Sequence, residues 1–274
     1  MSEPSVKYEL IGHVAVLRLN EPKTLNAFSE AMADLLANAL ARAEREARAI
    51  VLTGEGRGFS SGVNLITGAA SKPAAERDAG ERLERQFNPL MMKLRNLAIP
   101  LVTAVNGPAA GVGCSFALAG DLIVAAESAY FLLAFSRIGL VPDGGSAYLL
   151  AASAGRVRAM EAMLLAEAIS ARQALEWGLI NRLVPDGQAV AAAIELATRL
   201  ASGPTEALGL IRRVAWSALD ERFGDQLVLE RSAQRVAGKN PDFEEGVAAF
   251  REKRAAGFKG AIVANDANDH NLNA

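Results

Sequence analysis

Three short segments concentrate the residues able to do chemistry. The first, Gly58-Phe59-Ser60-Ser61-Gly62, has the G-x-S-x-G spacing of a nucleophilic serine turn. Such a serine needs a histidine to take its proton, and in that architecture the histidine follows it in the chain. The chain has two histidines: His13, upstream in a strand pattern, and His270, in a polar tail. The serine has no base, so the segment reads as a tight turn after a strand. The second segment is Asn106 to Cys114 (NGPAAGVGC). It lacks the third glycine of a dinucleotide fingerprint, the following acid and a Walker lysine, so neither a nicotinamide nor a nucleotide phosphate is expected there. The third is Pro142-Asp143-Gly144, which offers one carboxylate. Asp143 reads either as a helix N-cap or as a reactive acid, and both readings stay open.

The two glycine segments share a physical property. Each presents backbone N–H groups at the end of a buried strand, and the second also opens a helix, whose N-terminus is partly positive. Turned toward one another, two such segments make an oxyanion hole. Nothing in the one-dimensional order says that they face.

The elements that carry them alternate. Val6, Tyr8 and Leu10, then Val14, Val16 and Leu19, flank Gly12 and predict a hairpin. Ser29 precedes apolar residues at helical spacing, and Ala49 to Thr53 is a short apolar run that predicts a buried strand. Glu76 to Leu97 has the pattern of a charged amphipathic helix ended by Pro100, and Leu101 to Val105 that of a strand. A helix over Gly111 to Ala119 and a strand over Asp121 to Ala125 follow. This order predicts an α/β fold with mostly parallel, buried strands. From Val157 onward helices dominate: Ser170 and Gln173 form a capping box, Asn181 to Val184 is one last short strand, and Pro204 and Asn240-Pro241-Asp242 open further helices. The expected organisation is a core over 1–200, a helical C-terminal region over 201–263 suited to oligomer contacts, and a disordered tail over 264–274. Gly68 to Pro73 is the one loop-like internal linker.

Composition narrows the classes. A formal net charge of -2 leaves no positive excess for nucleic acid. Cys114 is the only cysteine, so no disulfide forms within the chain and no cysteine cluster holds zinc. With no signal-peptide pattern at MSEPSVKYEL and no bilayer-length apolar run, a soluble cytoplasmic protein is expected, with no membrane partner and no metal.

Several segments in this order resemble one family. GRGFSSGVNL and AVNGPAAGVGCSFALAGDLIVA resemble the two signature segments of the crotonase, or enoyl-CoA hydratase/isomerase, superfamily. RIGLVPDGGSAYLL, EWGLINRLVP and FREKRAAGFKG resemble later family segments, so the likeness runs from about residue 5 to 260. It implies a spiral of β-β-α units with a helical C-terminal region, assembled as a homotrimer or a dimer of trimers. The implied partner is an acyl-CoA thioester whose carbonyl is polarised. Coenzyme A arrives as part of the substrate, and no separate cofactor is implied.

The resemblance also implies roles. The two oxyanion N–H groups fall on Val63, after Gly62, and on Val112, after Gly111, where a glycine is usual. Lys23 and Leu25 match the segment that approaches the nucleotide, and Phe258 and Lys259 match a pair that reaches the coenzyme A of a neighbouring subunit. The two glutamates of the hydratases fall on Ser115 and Phe135, so paired-carboxylate hydration lacks its acid and base. Asp143 lies where isomerases of the family carry an acid, and the surrounding stretch is most similar to the phenylacetate-pathway isomerase branch. One carboxylate suffices for a double-bond shift, and burial against Phe131 and Phe135 is expected to raise its pKa. The implied activity is an enoyl-CoA isomerisation, either a double-bond shift or a ring-epoxide isomerisation. The alternatives are an enoyl-CoA hydratase of fatty-acid or aromatic degradation, and an acyl-CoA binder without catalysis. Glu76, Glu81 and Glu84 read as a solvated face, with a second acid from among them as the alternative.

Overall fold

The computed structural model describes residues 3–63, 76 and 78–260. The predicted linker at 68–73, Asn64 and the 264–274 tail lie outside the described residues.

Strands β1 (Val6–Ile11) and β2 (Val14–Leu19) form the expected antiparallel hairpin, in register from Val6↔Leu19 to Ile11↔Val14. Helix α1 (Glu30–Glu46) starts where Ser29 accepts a hydrogen bond from the Met32 amide. It buries Met32, Ala33, Leu36, Leu40 and Ala43, one face at a spacing of three and four. Strand β3 (Ala49–Gly54) then pairs parallel with β2 and is buried at every position. A fully buried parallel strand must be apolar on both faces, which is why Ala49 to Leu52 does not alternate.

The charged helix predicted from Glu76 starts later. Asp78 accepts a hydrogen bond from the Gly80 amide at 2.7 Å, a local turn that competes with helix. A π-type turn over Leu83–Phe87 leads into α2 (Asn88–Arg95). The widened turn sits directly before Pro89, whose missing N–H removes a rung from the ladder. Strand β4 (Leu101–Val105), the two-residue β5 (Ala109–Ala110), α3 (Val112–Leu118), β6 (Leu122–Ala126) and β7 (Tyr130–Leu132) follow. Every residue of α3 is buried. Helices α4 (Ser146–Ala154) and α5 (Arg156–Leu165), strand β8 (Ile169–Ser170), helix α6 (Ala171–Glu176) and strand β9 (Arg182–Val184) complete this part. The Ser170–Gln173 capping box at the start of α6 is formed in both directions.

The main sheet has the order β1-β2-β3-β4-β6-β9, parallel beyond the first hairpin. A small second sheet, β5-β7-β8, branches from the end of β4. Helix α7 (Ala189–Ala201) packs its alanine-rich face across β3, β4 and β6. Helices α8 (Thr205–Ser217), α9 (Phe223–Ala237) and α10 (Pro241–Glu252) form the helical C-terminal part. Buried Arg212 of α8 ties that part to the sheet, donating to the Asp121 carboxylate and to the carbonyls of Leu94 and Leu97. Asp121 also receives the Leu101 amide at 2.7 Å, so one ion pair anchors the start of β4 and α8 together.

Candidate active site

The first glycine turn is built around a residue that pattern reading passed over. Asn26 is fully buried with φ 57°. Its side-chain amide donates to the carbonyls of Glu55 and Gly58, each at 2.9 Å, and accepts the Glu21 amide at 2.8 Å. A buried amide so satisfied holds three chain segments in one geometry. The signal for it was indirect: a loop rich in glycine after β3 needs a donor for its carbonyls. Ser60 is equally occupied. Its hydroxyl is buried, donates to the Asn26 carbonyl at 2.8 Å and accepts the Gly62 amide at 3.2 Å. It is a structural hydroxyl, as the absence of a histidine partner implied.

The two glycine turns meet. The Ala110 amide donates to the Ser60 carbonyl at 2.8 Å, and Ser60 and Ala109 form a parallel bridge. Gly62 has φ 92°, and a Cβ there would lie 2.8 Å from the Ala110 carbonyl oxygen. Only glycine allows this approach. Two peptide groups then matter. The Gly62 carbonyl accepts the Phe28 amide at 2.7 Å, so in a trans peptide the Val63 N–H points the opposite way. The Gly111 carbonyl accepts the Cys114 amide at 3.0 Å, and Val112 is the first residue of α3. Its N–H has no acceptor within the helix. Two backbone donors thus sit on adjoining turns, an arrangement able to receive an oxygen that becomes negative.

Asp143 is brought to the same place by packing. A 3-10 turn over Ala134–Ile138 buries Phe135, whose ring tip is 4.0 Å from where a Cβ on Gly111 would stand. The chain then passes through Asp143 to Gly144, with φ 55°. A Cβ on Gly144 would come within 2.9 Å of Val112 Cγ2 and 3.0 Å of the Ser115 Cβ and Oγ. The Asp143–Gly144 backbone therefore rests on the first turn of α3, directly over the Val112 side chain. The Asp143 carbonyl accepts the Ser115 hydroxyl at 2.9 Å, the Ser146 hydroxyl at 2.8 Å and the Ser146 amide at 3.0 Å. Its carboxyl is treated differently. Oδ1 is buried and has no hydrogen-bond partner. Burial pushes the carboxyl up to about 6.

The N-cap reading of Asp143 is corrected. Helix α4 starts at Ser146 after Gly145, with no side-chain cap bond, and it is the main chain of Asp143 that makes the turn. Cys114 is buried, which pushes its thiol up to about 12, as suits a packed hydrophobe. Lys23 is exposed on a 3-10 turn, Pro22–Thr24, beside Leu25, whose φ is 54° and whose carbonyl receives the Ser61 amide at 2.8 Å. Glu76, Glu81 and Glu84 are all exposed. The structure gathers Val63, Val112, Phe135 and Asp143. It ties Phe258 and Lys259 to α10 instead: the ring faces Gly246, and the Lys259 amide donates to Asp242 at 2.8 Å. Among the described residues no group of three or more His, Cys, Asp or Glu stands ready for a metal. No described helix is long and apolar enough to cross a membrane.

This pairing of glycine turns lies within a stretch, residues 9–261, that matches the family model for enoyl-CoA hydratase/isomerase. The chain belongs to that family. As an enoyl-CoA hydratase/isomerase family member it is 45% identical over 249 residues to 1,2-epoxyphenylacetyl-CoA isomerase of Escherichia coli K12, covering 90% of this chain and 95% of that one. It is 32% identical over 249 residues to 2,3-dehydroadipyl-CoA hydratase of the same organism, with the same coverage. The solved enoyl-CoA hydratase of Polaromonas sp. JS666 superposes with a TM-score of 0.85 at 33% identity, covering 93% of this chain and 99% of that one. The mixed α/β architecture is accordingly the crotonase-type spiral that the motif order implied.

Proposed function

We propose that this family member isomerises an acyl-CoA thioester with Asp143 as its single proton carrier and the Val63 and Val112 amides as its oxyanion hole. The observation that carries the reading is the Asp143 carboxyl: its Oδ1 is buried and unpartnered, and its main chain rests on the residue that supplies one of the two amides. Above pH 6 the carboxylate is ionised and able to take a proton from the carbon next to the thioester or from its vinylogous position. The electron pair moves onto the thioester oxygen, which the two amides receive, and the same carboxyl returns the proton two carbons away. A double-bond shift is balanced without water or a redox partner. The likeness to an epoxyphenylacetyl-CoA isomerase supports extending the same site to a ring epoxide.

Ser115 and Phe135 support isomerisation over hydration, since neither supplies the second carboxylate that a held water needs. Hydration remains the second reading because a relative is named as a hydratase. It asks Asp143 alone to activate water. For binding we propose that Lys23 and Leu25 border the nucleotide of coenzyme A, and that Phe258 and Lys259 serve a neighbouring subunit of a homotrimer or a dimer of trimers. The exposed Phe223, Phe243 and Phe250 on α9 and α10 support such an assembly. The proposed setting is the cytoplasm.

The test incubates the purified protein with crotonyl-CoA and with a 3-enoyl-CoA. Isomerisation of the second is expected. Hydration of the first without isomerisation of the second rejects the isomerase. No turnover with coenzyme A still bound makes it a silent binder.

A further inference from the structure

The Asp143 residue divides its hydrogen bonding unevenly. Its carbonyl has two lone pairs and receives three donors, the hydroxyls of Ser115 and Ser146 and the Ser146 amide. Its carboxyl Oδ1 receives none. Both serines are fully buried, so no water replaces a lost hydroxyl. The two hydroxyls also come from different elements, α3 and α4, and α3 is the helix whose first residue is Val112.

We propose that Ser115 and Ser146 are positioning residues that hold Asp143 by its main chain, leaving the carboxyl unengaged for the substrate. The inference rests on the reading of Asp143 as the proton carrier. A carboxylate held by its own side-chain bonds would be oriented but also spent, because bonds to its charged form lower its basicity. Holding the peptide instead orients the side chain through Cα. Gly144 completes the clamp from the other side, because its missing Cβ lets the chain settle on Val112 and Ser115. The same contact relates the position of the carboxyl to that of the Val112 amide, so proton carrier and hole are set by one piece of backbone.

The experiment compares Ser115→Ala, Ser146→Ala, the double variant, Ser146→Thr and Asp143→Asn in steady-state isomerisation across pH, with melting temperatures alongside. Each alanine variant is expected to lower kcat about 10-fold and the double about 100-fold, with KM within about twofold, as misplacement of a reacting group does. The acid limb of the profile is expected to fall from about 6 toward the ordinary carboxylate range as Asp143 gains water. Ser146→Thr, which keeps the hydroxyl, is expected to retain most of kcat. A double variant with kcat and acid limb unchanged overturns the proposal. So does a loss of kcat that tracks melting temperature while the acid limb stays in place, since that is a purely structural effect. If the double variant does not fold, the two single variants decide by the same criteria. Turnover retained in Asp143→Asn rejects the proton-carrier reading itself, and the positioning role falls with it.

Discussion

Two carboxylates about a hundred positions apart in the chain are handled in opposite ways. Asp143 is partly buried, makes no hydrogen bond through Oδ1, and is pushed up to about 6 by loss of water. Glu245 on α10 is saturated. The Arg254 guanidinium grips both its oxygens, at 2.6 and 2.9 Å, and the Gly257 amide adds a third donor at 2.7 Å. The arginine first, and that amide second, hold Glu245 at about 2. The first carboxyl has an unpaired oxygen, and the second has been used to fold residues 254–260 back on α10. Asp242 helps the second task by accepting the Lys259 and Gly260 amides. The difference separates a carboxyl oxygen left unpaired from carboxylates spent on structure, a distinction that residue type does not convey.

The largest effect expected from breaking this contrast is in Asp143→Asn. Isomerisation should fall by about 10²–10⁴-fold while coenzyme A binding persists, read from steady-state rates and a binding titration. Its melting temperature should not fall. Because the folded-state pKa of Asp143 is raised, wild type loses stability relative to the Asp143→Asn variant as pH rises from about 4 through about 6, so the gap in melting temperature should open over that window. A variant less stable than wild type at pH 7 contradicts the cost of burying this carboxylate.

Val112→Pro tests the other half of the site. Proline is tolerated at the first position of a helix; it removes the N–H and also exchanges the valine side chain under Gly144 for a ring. A kcat loss of about 10²–10³-fold with the fold retained by circular dichroism is expected, the range for removing one oxyanion donor. Gly144→Ala disturbs the contact joining the two halves. A side chain at φ 55°, with its Cβ at 2.9 Å from Val112 Cγ2, should cost about 1–3 kcal/mol in denaturant unfolding and lower kcat as well. In wild type, kcat should rise with pH along a single limb near 6, since the amides do not titrate.

The smallest effect is expected in Glu245→Gln. Turnover should stay within about twofold, because a saturated structural carboxylate takes no part in chemistry. Its folded pKa is depressed, so the loss of melting temperature should be full above about pH 4.5 and should close as pH falls toward about 2. A collapse of kcat would place α10 in the chemistry and erase the contrast.

Much of the fold was legible because it is written in local physics. The Ser29 cap, the Ser170–Gln173 box and the Asn240-Pro241-Asp242 start each depend on residues a few positions apart, and each helix begins where they indicate. The late start of the helix expected at Glu76 was less legible. There a side chain at Asp78 and a proline at 89 compete with an amphipathic pattern that is otherwise sound. The site was legible only in pieces. Gly62 and Gly111 mark strained backbone, but the role of Asn26 depends on carbonyls of Glu55 and Gly58 that lie about thirty positions downstream.

By itself the sequence determined the order of strands and helices, the missing partner for Ser60, and the family, through several motifs in one order. These follow from residue identity and short spacing. Only the tertiary structure decided that the two glycine turns touch, and that Asp143 caps nothing through its side chain. Both depend on contacts between segments tens of residues apart, made at close range by the absence of a Cβ at Gly62 and Gly144. The environment of a carboxylate is a property of everything packed around it, and the type of residue says nothing of what will be left unpaired.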